Sequence, residues 1–314
     1  MFFPTADIFV DPWIPPLVAF VISFFTSMAG VSGAFLLLPF QMSFLGYTSP
    51  SVSATNHLFN IVAIPSGVYR YLKEGRMVWP LAWVVILGTL PGVLIGGVVR
   101  INYLPDPRNF KLFVAAVLLF VGVRMTSDLL MRRNGSGKET AEARFQQLLR
   151  ARRERAAAGR VEPAVIVERL TLRALSFSFY GERYTFRTLG IFTLSFVVGI
   201  LGGIYGIGGG AIIAPFFVAF YRLPVYIVAG ATLMGTCVTS LTGVLFFQAV
   251  APLYPALSVT PDWLLGILFG LGGMAGMYLG ARCQKHVPAH VIKWMLVTIL
   301  FYIAGKYVLA FLGI

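Results

Sequence analysis

Along this chain, apolar residues run for ten to more than twenty positions at a stretch, and the loops between runs are short and polar. A run of about 20 apolar residues spans a bilayer as a helix, so the pattern predicts membrane helices rather than a soluble core. An interfacial lead is expected over residues 1–16, where Trp13 sits among prolines. A short apolar helix over 16–29, a break at 30–33 and a second short helix over 34–45 follow. Full spans are then expected over 50–72, 77–99 and 109–130. Beyond a polar segment the order repeats as 191–205, a glycine break, 211–221, 225–247, 263–281 and 291–312.

The second break is the most informative stretch. Residues 202–215 read GGIYGIGGGAIIAP, with glycines at 202, 203, 206, 208, 209 and 210. Glycine costs a helix roughly 1 kcal/mol relative to alanine, so the helix is expected to stop here and restart near Gly209. In hydrocarbon, an open backbone is tolerated only where protein or a wet cavity covers it. A helix that restarts there points bare N–H groups and a positive dipole end at the break, an arrangement that holds anions.

The break has a twin. A shift of 176 positions lays Gly30, Gly33, Pro39 and Phe40 on Gly206, Gly209, Pro215 and Phe216, and the register continues through Gly67 on Gly243. A shift of 184 then lays Trp79, Gly88, Gly92 and Gly96 on Trp263, Gly272, Gly276 and Gly280. The difference places eight extra residues in the second copy, around 248–257. Paired interruptions in matching halves point to a transporter's binding site. The structural alternative is that the glycines only let helices approach closely, and Gly88, Gly92 and Gly96, spaced by four, suit that role.

The 50–72 span carries the polar groups Ser53, Thr55, Asn56, His57, Asn60 and Ser66. The 176 shift sets Asn56 on Thr232 and Asn60 on Thr236, in each half four apart and so on one helical face. These four donors, with Gly30, Ser32, Gly33, Gly206, Gly208, Gly209 and Gly210, form the candidate substrate site. The alternative is that hydroxyls and amides bond helices together or bond back to their own backbone. His57 can titrate near neutral pH and is the candidate for proton coupling. Arg70 is the candidate inner gate, while Arg124 and Lys306 read as headgroup anchors.

Composition agrees with a membrane protein: 58% hydrophobic, 12% charged, mean hydropathy +0.81. The first sixteen residues hold Asp7 and Asp11 but no Lys or Arg, unlike the basic start of a secretory signal. Cys237 and Cys283 suggest buried thiols, not a disulfide framework or metal cluster. Of the net charge of +13, residues 132–187 supply +7, from 13 Lys/Arg against 6 Asp/Glu. A bilayer explains this basic balance better than nucleic acid does. Residues 139–158 read as a basic amphipathic helix, and 171–186 as a β-hairpin around Tyr180-Gly181-Glu182.

Charge also orients the halves. With the insert inside and each short pair entering and returning, Arg70, Lys73, Arg76, Arg222, Arg282, Lys285 and Lys293 lie inside, against Arg100, Arg108 and Lys111 outside. With parallel halves the count becomes three inside against seven outside. The positive-inside bias therefore selects inverted repeats with both termini outside. The expected fold is an all-α polytopic membrane protein with two inverted repeats, each a broken short helix pair plus three transmembrane helices. Its expected parts are a first repeat over 1–131, a basic cytoplasmic insert over 132–187 and a second repeat over 188–314.

Enzymatic signatures are not expected. No intramembrane carboxylate pair is present, GIGGG precedes no Lys-Ser/Thr pair, GIYGIG is not the dinucleotide spacing, and no His/Cys constellation suits zinc.

Gly-Ile-Gly-Gly-Gly at 206–210 followed by Pro215, with the degenerate copy Gly30-Val-Ser-Gly-Ala ending at Pro39, resembles the sulfite exporter TauE/SafE family. The first copy departs from the motif, with Ser32 and Ala34 in place of glycines. The resemblance covers most of the chain outside 132–187. It implies a secondary carrier exporting sulfite, sulfonates or related small sulfur-containing anions across a bacterial inner membrane. The expected partners are a small anion and the lipid bilayer, with no nucleic acid, metal or cofactor; a homo-oligomer is compatible with the sequence. Two other function classes stay open: an intramembrane enzyme working through His57 or Cys237 on a lipid or thiol, and a non-transporting scaffold whose partner binds the insert.

Overall fold

A computed structural model describes residues 1–28, 31–73, 77–134, 165–171, 173–179, 181–221, 223, 225–283 and 289–312. The apolar runs fold as helices: α1 Ile14–Met28, α2 Ala34–Ser43, α3 Ser51–Lys73, α4 Trp79–Asn102 and α5 Pro107–Asn134 in the first half. The second half holds α6 Thr188–Tyr205, α7 Gly209–Tyr221, α8 Val225–Val250, α9 Trp263–Cys283 and α10 Ala289–Leu312. Pro80 sits in the first turn of α4, where its missing N–H would have had no intrahelical partner. Among the described residues, six helices are long and apolar enough to cross a membrane: α4, α5, α6, α8, α9 and α10. The protein is a multi-pass membrane protein, and Leu87, Leu94, Phe120, Leu245, Leu271 and Tyr302 turn exposed apolar side chains outward.

The helices cross in a reciprocal pattern. Gly88, Gly92 and Gly96 press α4 onto the backbone of α6 at Phe192, Phe196 and Ile200. Gly272, Gly276 and Gly280 press α9 onto the backbone of α1 at Pro16, Phe20 and Phe24. These partners exchange under the two sequence shifts, so one crossing is the counterpart of the other. Both crossings run parallel, because the residue numbers rise together on the two helices. The matched pair α3 and α8 instead runs antiparallel: Gly67 lies against Leu233, and Gly243 lies against His57. Leu58, Val62 and Met277 set α3 parallel to α9 through Gly266, Gly270 and Gly67. The C-terminal ends of α3 and α9, with Arg70, Lys73 and Arg282, thus share one face of the bundle.

Four features differ from the sequence reading. The lead is a two-stranded ribbon, β1 Phe2–Phe3 with β2 Ile8–Phe9, turned by Asp7 at φ 53°. Helix α6 starts at Thr188, directly after the last strand of the insert, so its 18 residues are enough to cross rather than forming a short helix. Helix α3 is 23 residues long, but its polar row keeps it outside the six apolar spans. The hairpin has a third strand: β3 Val165–Leu170, β4 Leu175–Phe179 and β5 Glu182–Phe186 form one antiparallel sheet, with Gly181 at φ +85° in the last turn. Leu175, Phe177 and Phe179 are buried, and Phe186 meets Tyr221 at the end of α7 edge-on at 5.3 Å. The expected amphipathic helix over 139–158 lies outside the described residues, as do Gly30, Arg76 and Tyr180.

Candidate functional site

The second break is a short turn between α6 and α7. Gly206 closes α6 in the left-handed region at φ +78°, and Gly208 repeats that conformation at φ +72°. Such backbone suits glycine alone without strain. The N–H groups of Gly206 and Ile207 both reach the Gly202 carbonyl, at 2.9 and 3.0 Å. Helix α7 restarts at Gly209, as the glycine run requires. The first N–H groups of a helix have no intrahelical acceptor, and those of Gly208, Gly209 and Gly210 meet none among the described residues.

The first break is capped by a side chain instead. Val31 N–H bonds the Thr26 carbonyl at 3.0 Å, and the Ser32 hydroxyl accepts from Ala34 N–H at 3.3 Å. Gly33 is right-handed at φ −57° and lies against Ser23 and Phe59, where a Cβ would not fit.

Asn60 joins the two breaks. Its Oδ1 accepts from the Ser32 hydroxyl at 2.8 Å, and its Nδ2 donates to the Ile207 carbonyl at 2.9 Å and to Ser240 Oγ at 3.2 Å. Asn56 holds the start of α2, donating to the Ala34 carbonyl at 3.1 Å while Gln41 Nε2 reaches its Oδ1 at 3.5 Å. The second half repeats these contacts through glycine: Gly208 lies against Thr236, and Gly210 lies against the Thr232 backbone. Ser32 with Asn60 maps onto Gly208 with Thr236, and Ala34 with Asn56 onto Gly210 with Thr232. Where the first half bonds through side chains, the second brings backbones together.

The structure thus gathers Ser32, Gly33, Asn56, Asn60, Gly206, Gly208, Gly209, Gly210, Thr232 and Thr236 at one buried junction. The threonines are engaged with their own helix: Thr232 Oγ1 donates to the Ala229 carbonyl at 3.1 Å, and Thr236 Oγ1 to the Thr232 carbonyl at 2.8 Å. His57 reaches the junction through Ser240, with Nδ1 3.3 Å from Ser240 Oγ, while its buried Nε2 has no partner among the described residues. Arg70 stands apart. It is ten residues beyond Asn60 on α3, about 15 Å along the axis at 1.5 Å per residue.

Several junction residues escaped the sequence reading. Ser240 continues the four-residue spacing of Thr232 and Thr236, which was signal enough to find it. Ser53 donates to the Ile204 carbonyl at 3.3 Å, and the Tyr205 hydroxyl donates to the Phe35 carbonyl at 2.9 Å, so each helix pair also clasps the other break. No spacing announces those two, because their acceptors are carbonyls more than a hundred residues away. Among the described residues no group of three His, Cys, Asp or Glu could hold a metal. In the loop ahead of α3, burial holds the Tyr47 phenol well above its ordinary range, with the Asp262 charge adding to the effect.

Comparison with known proteins agrees with this architecture. The profile of the sulfite exporter TauE/SafE family matches residues 16–307. A probable membrane transporter protein, YunE, of Bacillus subtilis (strain 168) is 27% identical over 126 residues, covering 39% of this chain and 43% of that protein. The chain thus spans under half the length of that relative. Probable membrane transporter proteins of Xylella fastidiosa strains Temecula1 and 9a5c are each 21% identical, over 91% of this chain and 92% of their own lengths. No solved structure matches. With paired glycine interruptions, reciprocal helix crossings and a family match across nearly its full length, this chain belongs to the sulfite exporter TauE/SafE family of membrane transporters.

Proposed function

We propose that the protein is a secondary carrier that exports a small sulfur-containing oxyanion, sulfite or a sulfonate, by exposing the junction of the two breaks alternately to the two sides. The observation that carries this reading is Asn60, whose amide spans Ser32 in the first break and the Ile207 carbonyl in the second. Beside it stand the N–H groups that open α7, which have no acceptor among the described residues and offer a cradle for oxyanion oxygens. Neutral donors and a helix dipole bind an anion without a fixed counter-charge, which suits release as well as capture. The antiparallel run of α3 and α8 and the exchanged crossings support inverted repeats, the symmetry on which rocking carriers are built.

In this reading the face with Arg70, Lys73, Arg282 and the insert is cytoplasmic, and both termini lie outside the inner membrane. The buried junction is the occluded stage of the cycle. On opening, Thr236 turns its proton from the Thr232 carbonyl to the anion. The test is sulfite efflux from loaded proteoliposomes. Asn60→Leu should abolish flux and Thr232→Val should reduce it, with both proteins extracted as folded species. Wild-type flux in both variants would remove the site assignment, whereas conversion of the anion into a new compound would favour an enzyme.

A further inference from the structure

Arg100, in the last turn of α4, is a fully buried cation whose partners among the described residues are all neutral. Nη2 donates to the Thr48 carbonyl at 3.0 Å, Nη1 to the Leu104 carbonyl, and Nε to Ser53 Oγ at 3.3 Å. The Phe110 ring lies 3.7 Å beneath the guanidinium. A guanidinium carries five N–H donors, so two remain without an acceptor among the described residues. Among the described residues no carboxylate pairs with it, and Tyr47, the nearby acid, is kept a neutral phenol by burial. Removing a charge from water costs several kcal/mol unless a partner restores the loss, and two carbonyls, a hydroxyl and a ring are weak substitutes for a counter-ion.

The position matters as much as the charge. Ser53, which receives Arg100, donates to the Ile204 carbonyl, and the Gly206 turn rests on the Ser53 backbone. The guanidinium is therefore one side chain removed from the second break. It sits towards the face where α4 ends and α5 and α9 begin, where Arg108 donates to the Phe311 carbonyl beside the end of α10.

We propose that Arg100 is a staging site for the transported oxyanion, between the glycine junction and the face that carries both chain ends. The anion supplies the counter-charge that the fold omits, taking the two spare N–H donors as it leaves the α7 N-terminus. A planar fork suits two oxygens of one sulfur oxyanion, which a lysine cannot match. The inference rests on the carrier reading above and deepens it, adding a second binding step on the same path.

The test pairs sulfite-dependent thermal stabilisation of purified protein with sulfite uptake by proteoliposomes, for the wild type, Arg100→Gln and Ser53→Asp. Ser53→Asp gives the guanidinium an internal carboxylate, so it competes with the anion while keeping the buried charge paired. Both variants should raise the KM for sulfite about tenfold or more, the effect of losing a charge-assisted hydrogen bond. Should Arg100→Gln fail to fold, Ser53→Asp decides alone. Folded variants with wild-type KM overturn the staging site and leave the central junction standing. An absence of sulfite stabilisation and uptake in the wild type overturns the carrier reading and this inference together.

Discussion

Gly208 shows what a single residue decides at the junction. It sits at φ +72°, and a Cβ there would lie 2.9 Å from the Ser240 hydroxyl and 3.0 Å from that of Thr239. Gly208→Ala adds left-handed strain to a steric contact, and each such strained residue costs on the order of 1–3 kcal/mol. A lowered melting temperature with weakened sulfite stabilisation is expected, and a thermal-shift titration reads both. His57 is the titratable group beside this turn, tied to Asn60 through Ser240. If protons are coupled to export, His57→Gln flattens the dependence of flux on pH. A pH profile identical to the wild type would separate His57 from coupling.

At the scale of elements, the glycine ladders of α4 and α9 set the geometry that the junction depends on. A Cβ on Gly92 would lie 2.8 Å from Ile200 N, and one on Gly276 would collide with the Phe20 carbonyl. Gly92→Val and Gly276→Val therefore pry apart counterpart crossings. Overpacking of this kind costs about 1–3 kcal/mol, so matched losses of thermal stability are expected from two sites 184 residues apart in sequence. A large loss at one site and none at the other would contradict the equivalence of the crossings. The ladders were legible in the sequence because small residues at a four-residue spacing have one dominant use in a bilayer. The start of α6 was not, since Thr188, Leu189 and Gly190 extend the helix only because β5 delivers the chain there. Nor did spacing reveal that the Thr232 and Thr236 hydroxyls bond back to their own helix, since that choice depends on rotamers.

At the scale of the molecule, two halves interlock so that the first helix of each packs on the fourth helix of the other. The two interruptions, some 176 residues apart in sequence, were legible as a pair because the register between them holds without a gap. Their meeting through Asn60 was expected in outline, but the roles of Ser240, Ser53 and Arg100 were not, because these depend on which helices become neighbours. In the inverted arrangement proposed above, with α1 parallel to α9 and α3 antiparallel to α8, the chain ends belong to one face and the insert to the other. Labelling cysteines placed after Ile314 and within the insert, in intact cells, should modify only the former. Labelling at the insert with protection at the carboxyl terminus would reverse the orientation.

The most direct measurement is sulfite flux through purified protein in sealed vesicles, compared with Asn60→Leu at equal amounts of folded protein. The expected result is saturable sulfite movement in the wild type and background rates in the variant. Equal flux in both would show that the meeting point of the two breaks does not hold the anion.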